Sequence, residues 1–439
     1  MLVRRGILMG ALACLALAGC GGASHSDPPQ TTTTVSTASK APVTTTHAVS
    51  SPSPALVQLQ AALAAQLKAA GPDSGVVVYD LTAKRVLYAL RSTIARPPAS
   101  VEKLYTTAAV LQELGPAAEL QTTVLGSGHL GPGGVWEGDL YLRGGGDPTF
   151  GDGTFNRAWE DGYGPTAQEL VPQLRRDGIR SVTGRVIGDP SIFDSLPGGP
   201  NTGGAPDIPD IGGELAGLTY DHGASTARLA PGPFAARELV LTMRGAGIEA
   251  KAAKSTATAP DGAPQLAVVD SPPMSVLLTL MDVPSDDFFA EMLTKQLGVR
   301  FSSGGTTAAG AAVLTSVIAE LGDHPAIVDG SGLSRRDGSS PDEVVDLLRA
   351  VWGTPTGTVL QSSLPVVGVN GTVRDVAVRS PAQGRCSAKT GTLNYVTNLA
   401  GYCASRGGHE LAFAVFIEGP TNGRGYVLVG RVVAAVARY

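Results

Sequence analysis

The sequence is short of the residues that build metal and nucleic-acid sites. Its six histidines, His25, His47, His129, His222, His324 and His409, show no ligand spacing, so no metal site and no cofactor are expected. His222, in the stretch TYDHG, reads as a loop residue. Basic residues number 33 against 38 acidic ones, and no basic cluster exceeds Arg175-Arg176, which gives nucleic acid no surface to bind. No fixed period recurs, which argues against a solenoid or propeller. The glycines of RGGGDP lack the strand-turn-helix setting of a phosphate loop. Long apolar runs are also missing: the run from Gly6 to Ala18 is too short for a permanent bilayer span.

That short run has another reading. Arg4 and Arg5 precede it and LAGC closes it, the pattern of an export signal over residues 1–20. LAGC resembles the bacterial lipobox, which implies lipidation of Cys20 and a membrane contact through a lipid anchor; a plain export signal is the alternative. Residues 21–54 are Ser, Thr, Ala and Pro with almost no charge or aromatics, a composition unable to bury enough apolar surface to order itself. They read as a tether holding a folded part away from a membrane. Export places the protein in the cell envelope.

With 43% hydrophobic residues, the remainder is long enough for one large domain with an insertion. Leu56, Leu59, Leu63 and Leu67 follow helical spacing up to Gly71-Pro72. Gly75–Tyr79 and Arg85–Leu90 read as paired strands, and Ser100–Leu114 as a helix stopped by Gly115-Pro116. From 120 to 268 the texture turns Gly- and Pro-rich with short strand-like runs, an insertion between a first part (55–119) and a second (269–439). Helices are expected over Phe288–Leu297, Thr306–Leu321 and Val427–Ala437. Three strands, RCSAKTGTL, TNLAGYCA and ELAFAVFIEG, fall before the last of them.

Only eight lysines occur, and two stand in suggestive company. In PASVEKLYTT, Lys103 follows Ser100 by three residues, which on a helix places an amine beside a hydroxyl. A serine needs such a base to become a nucleophile, and a helix N-terminus favours the negative charge that develops there. Lys389 lies in Lys389-Thr390-Gly391 on a strand. Between them Ser285-Asp286-Asp287 precedes a helix. Each piece alone would pass for a solvated polar turn. In this order, on helix, loop and strand, S-x-x-K, S-x-polar and K-T-G form the motif set of penicillin-binding proteins and β-lactamases.

From about Ala55 to Tyr439 the chain resembles the D-alanyl-D-alanine carboxypeptidase/endopeptidase group of low-molecular-mass penicillin-binding proteins, serine peptidases of the S13 type. LYLRGGGDPTF, VTGRVIGDPSIFD, VDGSGLSRRD and AKTGTLNYVTNLAGY look like family segments, and the long interval between the first two motifs points the same way. The resemblance implies an α+β transpeptidase-like domain, an antiparallel sheet with flanking helices and a helical subdomain, carrying a large β-rich insertion. It implies Ser100 as acylated nucleophile, Lys103 as its base, and Ser285 with Lys389 as proton shuttle. Thr390, Gly391 and Thr392 would receive the terminal carboxylate of D-Ala-D-Ala, with the N–H groups of Ser100 and Thr392 as oxyanion hole. Arg335 would help read the stem peptide, with Asp207, or else Asp210, as its acidic partner. Asp147 reads as a turn-fixing residue. The partners implied are peptidoglycan stem peptides and, as inhibitors, β-lactams.

Asp287 departs from the family's asparagine. An ionised carboxylate accepts but cannot donate, and it favours a charged Lys103, which is poor for a base. A slow enzyme, or a non-catalytic penicillin-binding wall lipoprotein, would both accommodate it. A β-lactamase would need a water-activating glutamate motif, and none is evident. Cys386 and Cys403 flank the K-T-G hairpin symmetrically, so a cross-strand disulfide and two buried thiols are both open.

Overall fold

A computed structural model describes residues 53–223 and 228–439. The export signal, Cys20 and most of the tether fall outside the described residues. The first helix, Pro54–Ala70, begins inside the segment assigned to the tether. Ser53 accepts from Leu56 N (3.2 Å) and Pro54 occupies the first turn, a start signal that the Ser/Pro-rich composition conceals. Its residues Leu59, Leu63 and Leu67 are buried. Among the described residues no helix is long and apolar enough to cross a membrane.

Among the described residues, ten strands form two sheets. In chain order they are β1 (Gly75–Asp80), β2 (Arg85–Leu90), β3 (Gln121–Leu130), β4 (Val135–Arg143), β5 (Ser181–Val182), β6 (Val186–Asp189), β7 (Gln265–Asp270), β8 (Cys386–Leu393), β9 (Val396–Ala404) and β10 (Glu410–Glu418). The first sheet runs β2-β1-β10-β9-β8 and is antiparallel throughout. Its inner strands are buried on both faces, which explains their nearly continuous apolar sequence. The first helix and the last, Asn422–Arg438, cover one face through Leu63, Phe413 and Val432. On the other face lies a helical layer that includes Lys103–Glu113, Asp287–Phe301 and Thr307–Glu320, packed through Leu104, Phe289 and Leu293 against Ala400 and Phe416.

The inserted part has its own core and its own sheet, β5-β4-β3-β7 with β6 also on β4. Beside the expected strands it carries helices. Helices Ala167–Arg176 and Pro231–Gly245 cover the sheet, and β5 and β6 pair parallel to β4. Their prolines hid them. Pro231 sits in the first turn, where a missing N–H costs nothing, and Pro172 is tolerated inside an amphipathic helix carrying a capping box. The insertion also returns to the helical layer. Phe193, Ile211 and Leu215 join that core, and Lys295 Nζ donates to Asp194 Oδ1 at 2.6 Å.

Candidate active site

Three elements converge on Ser100. The expected helix over Ser100–Leu114 is split: Ala99–Glu102 is a 3₁₀ turn and the α-helix runs Lys103–Glu113. Ala99 enters the turn with φ +48°, a strained conformation for a residue with a Cβ. Ser100 is half-buried, and Lys103, one turn on, is fully buried. Thr106 Oγ1 donates to Gly330 O (2.8 Å) and Tyr105 OH pairs with Ser339 Oγ (2.6 Å), fastening this helix to the 329–340 loop.

Lys103 Nζ donates to Ser100 Oγ at 3.2 Å, to Asp287 Oδ1 at 2.5 Å and to Ser331 O at 2.7 Å. All three ammonium protons are used. Asp287 opens the helix Asp287–Phe301, whose preceding residue Asp286 caps it by accepting from Phe289 N. Burial raises the Asp287 carboxyl above its usual range, while the charge of Lys103 pulls the other way. Ser285, just before this helix, has φ +68° and accepts from Lys389 Nζ at 2.7 Å.

Lys389 is fully buried on β8. Burial, with the charge of Lys103 beside it, lowers its pKa to about 7, opposed by Asp282 and Asp287. Two buried ammonium groups in one site repel each other, which disfavours the charged form of Lys389. Asp282 lies below the site: it accepts from Thr107 and Ser363 at 2.8 Å each, and burial lifts its pKa to about 6.

Strand β8 abuts the nucleophile turn. A Cβ on Gly391 would lie 2.3 Å from Pro98 O, so only glycine lets the strand come this close. On the same strand, Thr390 Oγ1 donates to Thr372 Oγ1 (2.8 Å), and Thr392 Oγ1 shares a hydrogen bond with Tyr426 OH (2.7 Å). Buried Asn398 on β9 ties the pieces together, donating to Pro97 O and Pro98 O at 2.9 Å and accepting from Ile417 N.

The structure thus brings Ser100, Lys103, Ser285, Asp287 and Lys389 together beside Thr390, Gly391 and Thr392. Arg335 is exposed and donates to Asn394 O (2.8 Å) on the β8–β9 turn. Asp207 does not meet it. Asp207 accepts from Asn201 Nδ2 at 2.9 Å, and Asp210 is exposed in the short helix Ile208–Ile211. Asp147 holds a turn through Thr149 N and Oγ1, and burial lifts it to about 7. His222 is not a simple loop residue: it is buried, 2.9 Å from Glu160 Oε1, with its ring 4.2 Å from that of Phe288. Cys386 and Cys403, opposite each other on β8 and β9, form a disulfide. Among the described residues no group of His, Cys, Asp and Glu could hold a metal.

Asn398, Thr372 and Tyr426 escaped the sequence reading. Asn398 carries a usable signal, a lone amide in an otherwise apolar strand that must find partners when buried. Thr372 and Tyr426 carry none, because their places depend on how a loop and the last helix fold back onto β8.

A sheet-and-helix domain with Ser100 beside buried Lys103 and Ser285 beside buried Lys389 defines the class: an active-site-serine enzyme with the penicillin-binding-protein fold. Residues 56–203 and 209–426 match the D-Ala-D-Ala carboxypeptidase 3 (S13) family, and the chain belongs to it as a serine-type D-Ala-D-Ala carboxypeptidase. A carboxypeptidase of Mycobacterium tuberculosis is 31% identical over 398 residues, covering 84% of this chain and 82% of that one. A D-alanyl-D-alanine carboxypeptidase of an Actinomadura species is 27% identical over 454 residues, with 84% and 82% covered. Among solved structures, penicillin binding protein 4 of Haemophilus influenzae superposes with a TM-score of 0.71 at 20% identity, covering 86% of this chain and 99% of that one.

Proposed function

We propose that Ser100 is the nucleophile of this carboxypeptidase and that Lys103 takes its proton. The observation that carries the reading is the position of Lys103 Nζ, 3.2 Å from Ser100 Oγ, with the Ser285–Lys389 pair (2.7 Å) on the neighbouring elements. Ser100 attacks the carbonyl of the penultimate D-Ala of a peptidoglycan stem. The C–N bond breaks, and a proton passes through Ser285, assisted by Lys389, to the departing amine. Water then hydrolyses the ester and regenerates the Ser100 hydroxyl. Thr390 and Thr392 receive the substrate's terminal carboxylate, and Arg335 contacts the stem near the hairpin turn. A β-lactam enters the same path and stops at the ester.

To act as a base Lys103 must first lose a proton, and Asp287 opposes this while ionised. Burial raises the Asp287 carboxyl, which is the direction that eases the conflict. The Lys103–Asp287 contact is also the one feature favouring a non-catalytic penicillin-binding wall protein. Turnover of a peptide ending in D-Ala-D-Ala separates the two. Measurable kcat/KM in the wild type, lost by on the order of a thousandfold or more in Ser100→Ala, supports catalysis. Equal rates in both proteins would remove Ser100 from the reaction.

The amino-terminal segment completes the proposal. Cleavage before Cys20 and its lipidation would anchor the domain at the membrane surface, with the Ser/Thr-rich stretch as spacer. Mass spectrometry of the membrane fraction tests this: Cys20→Ser should release soluble protein, and an unmodified Cys20 on wild-type protein would refute the anchor.

A further inference from the structure

The insertion reaches the middle motif from behind, through a buried polar pair that the proposed reaction does not use. His222 Nε2 lies 2.9 Å from Glu160 Oε1, and both side chains are almost fully buried. A carboxylate taken out of water needs such a partner. Three phenylalanines pack on this histidine, with ring centroids at 5.0 Å for Phe155, 4.2 Å for Phe288 and 5.8 Å for Phe289. The backbone is strained to put the ring there: Asp221 and His222, neither of them glycine, have φ of +49° and +54°. Glu214 N donates to His222 O (3.0 Å), and Asp221 Oδ1 accepts from Asp152 N (2.8 Å), which fixes the segment within the insertion. A Cβ on Gly213 would lie 2.7 Å from both His222 O and the Phe288 ring, so the insertion closes on the helix without a gap.

Phe288 and Phe289 belong to the same turn as Ser285 and Asp287. Ser285 has φ +68° and keeps its hydroxyl 2.7 Å from Lys389 Nζ. Such a conformation persists only where its surroundings over-determine it. On the inner side, Asp286 N donates to Met281 O (2.8 Å) and Asp286 Oδ1 accepts from Phe289 N (2.9 Å). On the outer side, His222 backs the two phenylalanine rings. The pair also bears on this cap through charge: burial lifts the Asp286 carboxyl to about 6, opposed by His222 and reinforced by Glu160.

We propose that His222, oriented by Glu160, is a positioning residue for Ser285, through which the insertion holds the Ser285–Phe289 turn against Lys389. The proposal rests on the assignment of Ser285 as the group that hands a proton to the leaving amine. His222 and Glu160 act through Phe288 and Phe289, not on the substrate. When an amide is cleaved, the C–N bond breaks and the nitrogen departs with the proton that Ser285 delivers. When a thioester of the same acyl group is cleaved, the C–S bond breaks and the sulfur departs as a thiolate, which needs no proton. A turn displaced from Lys389 therefore slows the amide and spares the thioester.

The test uses a peptide ending in D-Ala-D-Ala and its thioester counterpart, in which sulfur replaces the terminal amide nitrogen. The amide/thioester ratio of kcat/KM, measured on one sample, does not depend on how much of a variant is folded. Glu160→Ala, which frees the ring, and His222→Phe, which keeps the bulk but not the anchor, should each lower this ratio about tenfold. His222→Phe decides the matter if Glu160→Ala fails to fold. Glu160→Gln keeps an acceptor for His222 Nε2 and should stay within about twofold of wild type. Ser285→Ala, as the reference, should lower the ratio further. A ratio unchanged in Glu160→Ala or in His222→Phe, while Ser285→Ala lowers it, overturns the inference and leaves the shuttle standing. A Glu160→Gln ratio as low as that of Glu160→Ala overturns it as well. A ratio that Ser285→Ala does not move removes the shuttle, and this inference with it.

Discussion

Two buried carboxyl environments of this molecule, Asp189 in the inserted part and the acids behind the nucleophile helix, handle charge in opposite ways. In the inserted part, buried Asp189 is fully employed in structure: its carboxylate accepts from Arg143 Nε (2.8 Å), Ala259 N (2.9 Å) and Ser191 N (3.1 Å). Around the first sheet, buried carboxyls are left partly unsatisfied. Both oxygens of Glu102, Oδ1 of Asp282 and Oδ2 of Asp337 lack hydrogen-bond partners. Burial together with neighbouring acids raises Glu291 to about 8 and Asp337 to about 9, and raises Glu102 well above its usual range. Asp189 is satisfied as part of a scaffold, whereas the acids behind Lys103 are held poised. The difference follows local partners rather than region, since Asp147 of the insertion also keeps one oxygen unpartnered and is raised to about 7.

The largest effect that sharpens this contrast comes from Lys103→Met. Acylation by benzylpenicillin per folded molecule, followed by stopped-flow or mass, should slow by about a thousandfold or more, beyond any loss of stability from leaving Asp287 and Ser331 O without their donor. Asp189→Ala should do the reverse. It leaves Arg143 and two backbone N–H groups without their acceptor and costs about 2–4 kcal/mol in denaturant unfolding, while acylation per folded molecule stays unchanged. A large loss of acylation there would break the distinction between the two regions.

Removing the Cys386–Cys403 disulfide with paired serines should cost about 2–4 kcal/mol. The bond closes a loop with a sequence separation of 17 around the K-T-G hairpin. Asp287→Asn acts on chemistry instead. With the charge that holds Lys103 protonated removed, acylation should speed up by about tenfold. Unchanged rates across pH would mean that the ion pair imposes no handicap.

The smallest effect is on stability against pH. Glu291 and Asp337 have folded-state pKa values of about 8 and about 9, raised by burial and by Asp329 beside them. Groups raised in the folded state bind more protons there than in the unfolded chain. Their contribution is full below the ordinary carboxylate range and is lost as pH climbs through 8 and 9. Lys389, lowered to about 7, works against this but is one group among several. Melting temperature should therefore be higher at pH 5.5 than at pH 8.5, and a rise in the other direction would contradict the raised values.

Much of the first region was readable because its chemistry follows local spacing. Ser100 and Lys103 sit one turn apart, Lys389 lies on a short strand bounded by clear breaks, and Ser285 precedes a helix with a clear cap. The apolar strands β9 and β10 announce themselves because they are buried on both faces. Proline at positions that tolerate it hides the helices of the insertion from the sequence pattern. Asp207 was placed beside Arg335 by resemblance alone; its carboxylate is taken by Asn201, close in sequence, a contact no pattern at that distance announces. Tyr426 and Thr372 were invisible because they depend on packing between segments far apart in the chain.

Whether Ser100 is the group that Lys103 activates can be read from one experiment. Residues 53–439 are mixed with benzylpenicillin and followed by intact mass, in parallel with Ser100→Ala. A single long-lived adduct on the wild type, mapped to the peptide containing Ser100 and absent from the variant, is the result predicted. No adduct at any time, or one that persists in Ser100→Ala, would contradict it.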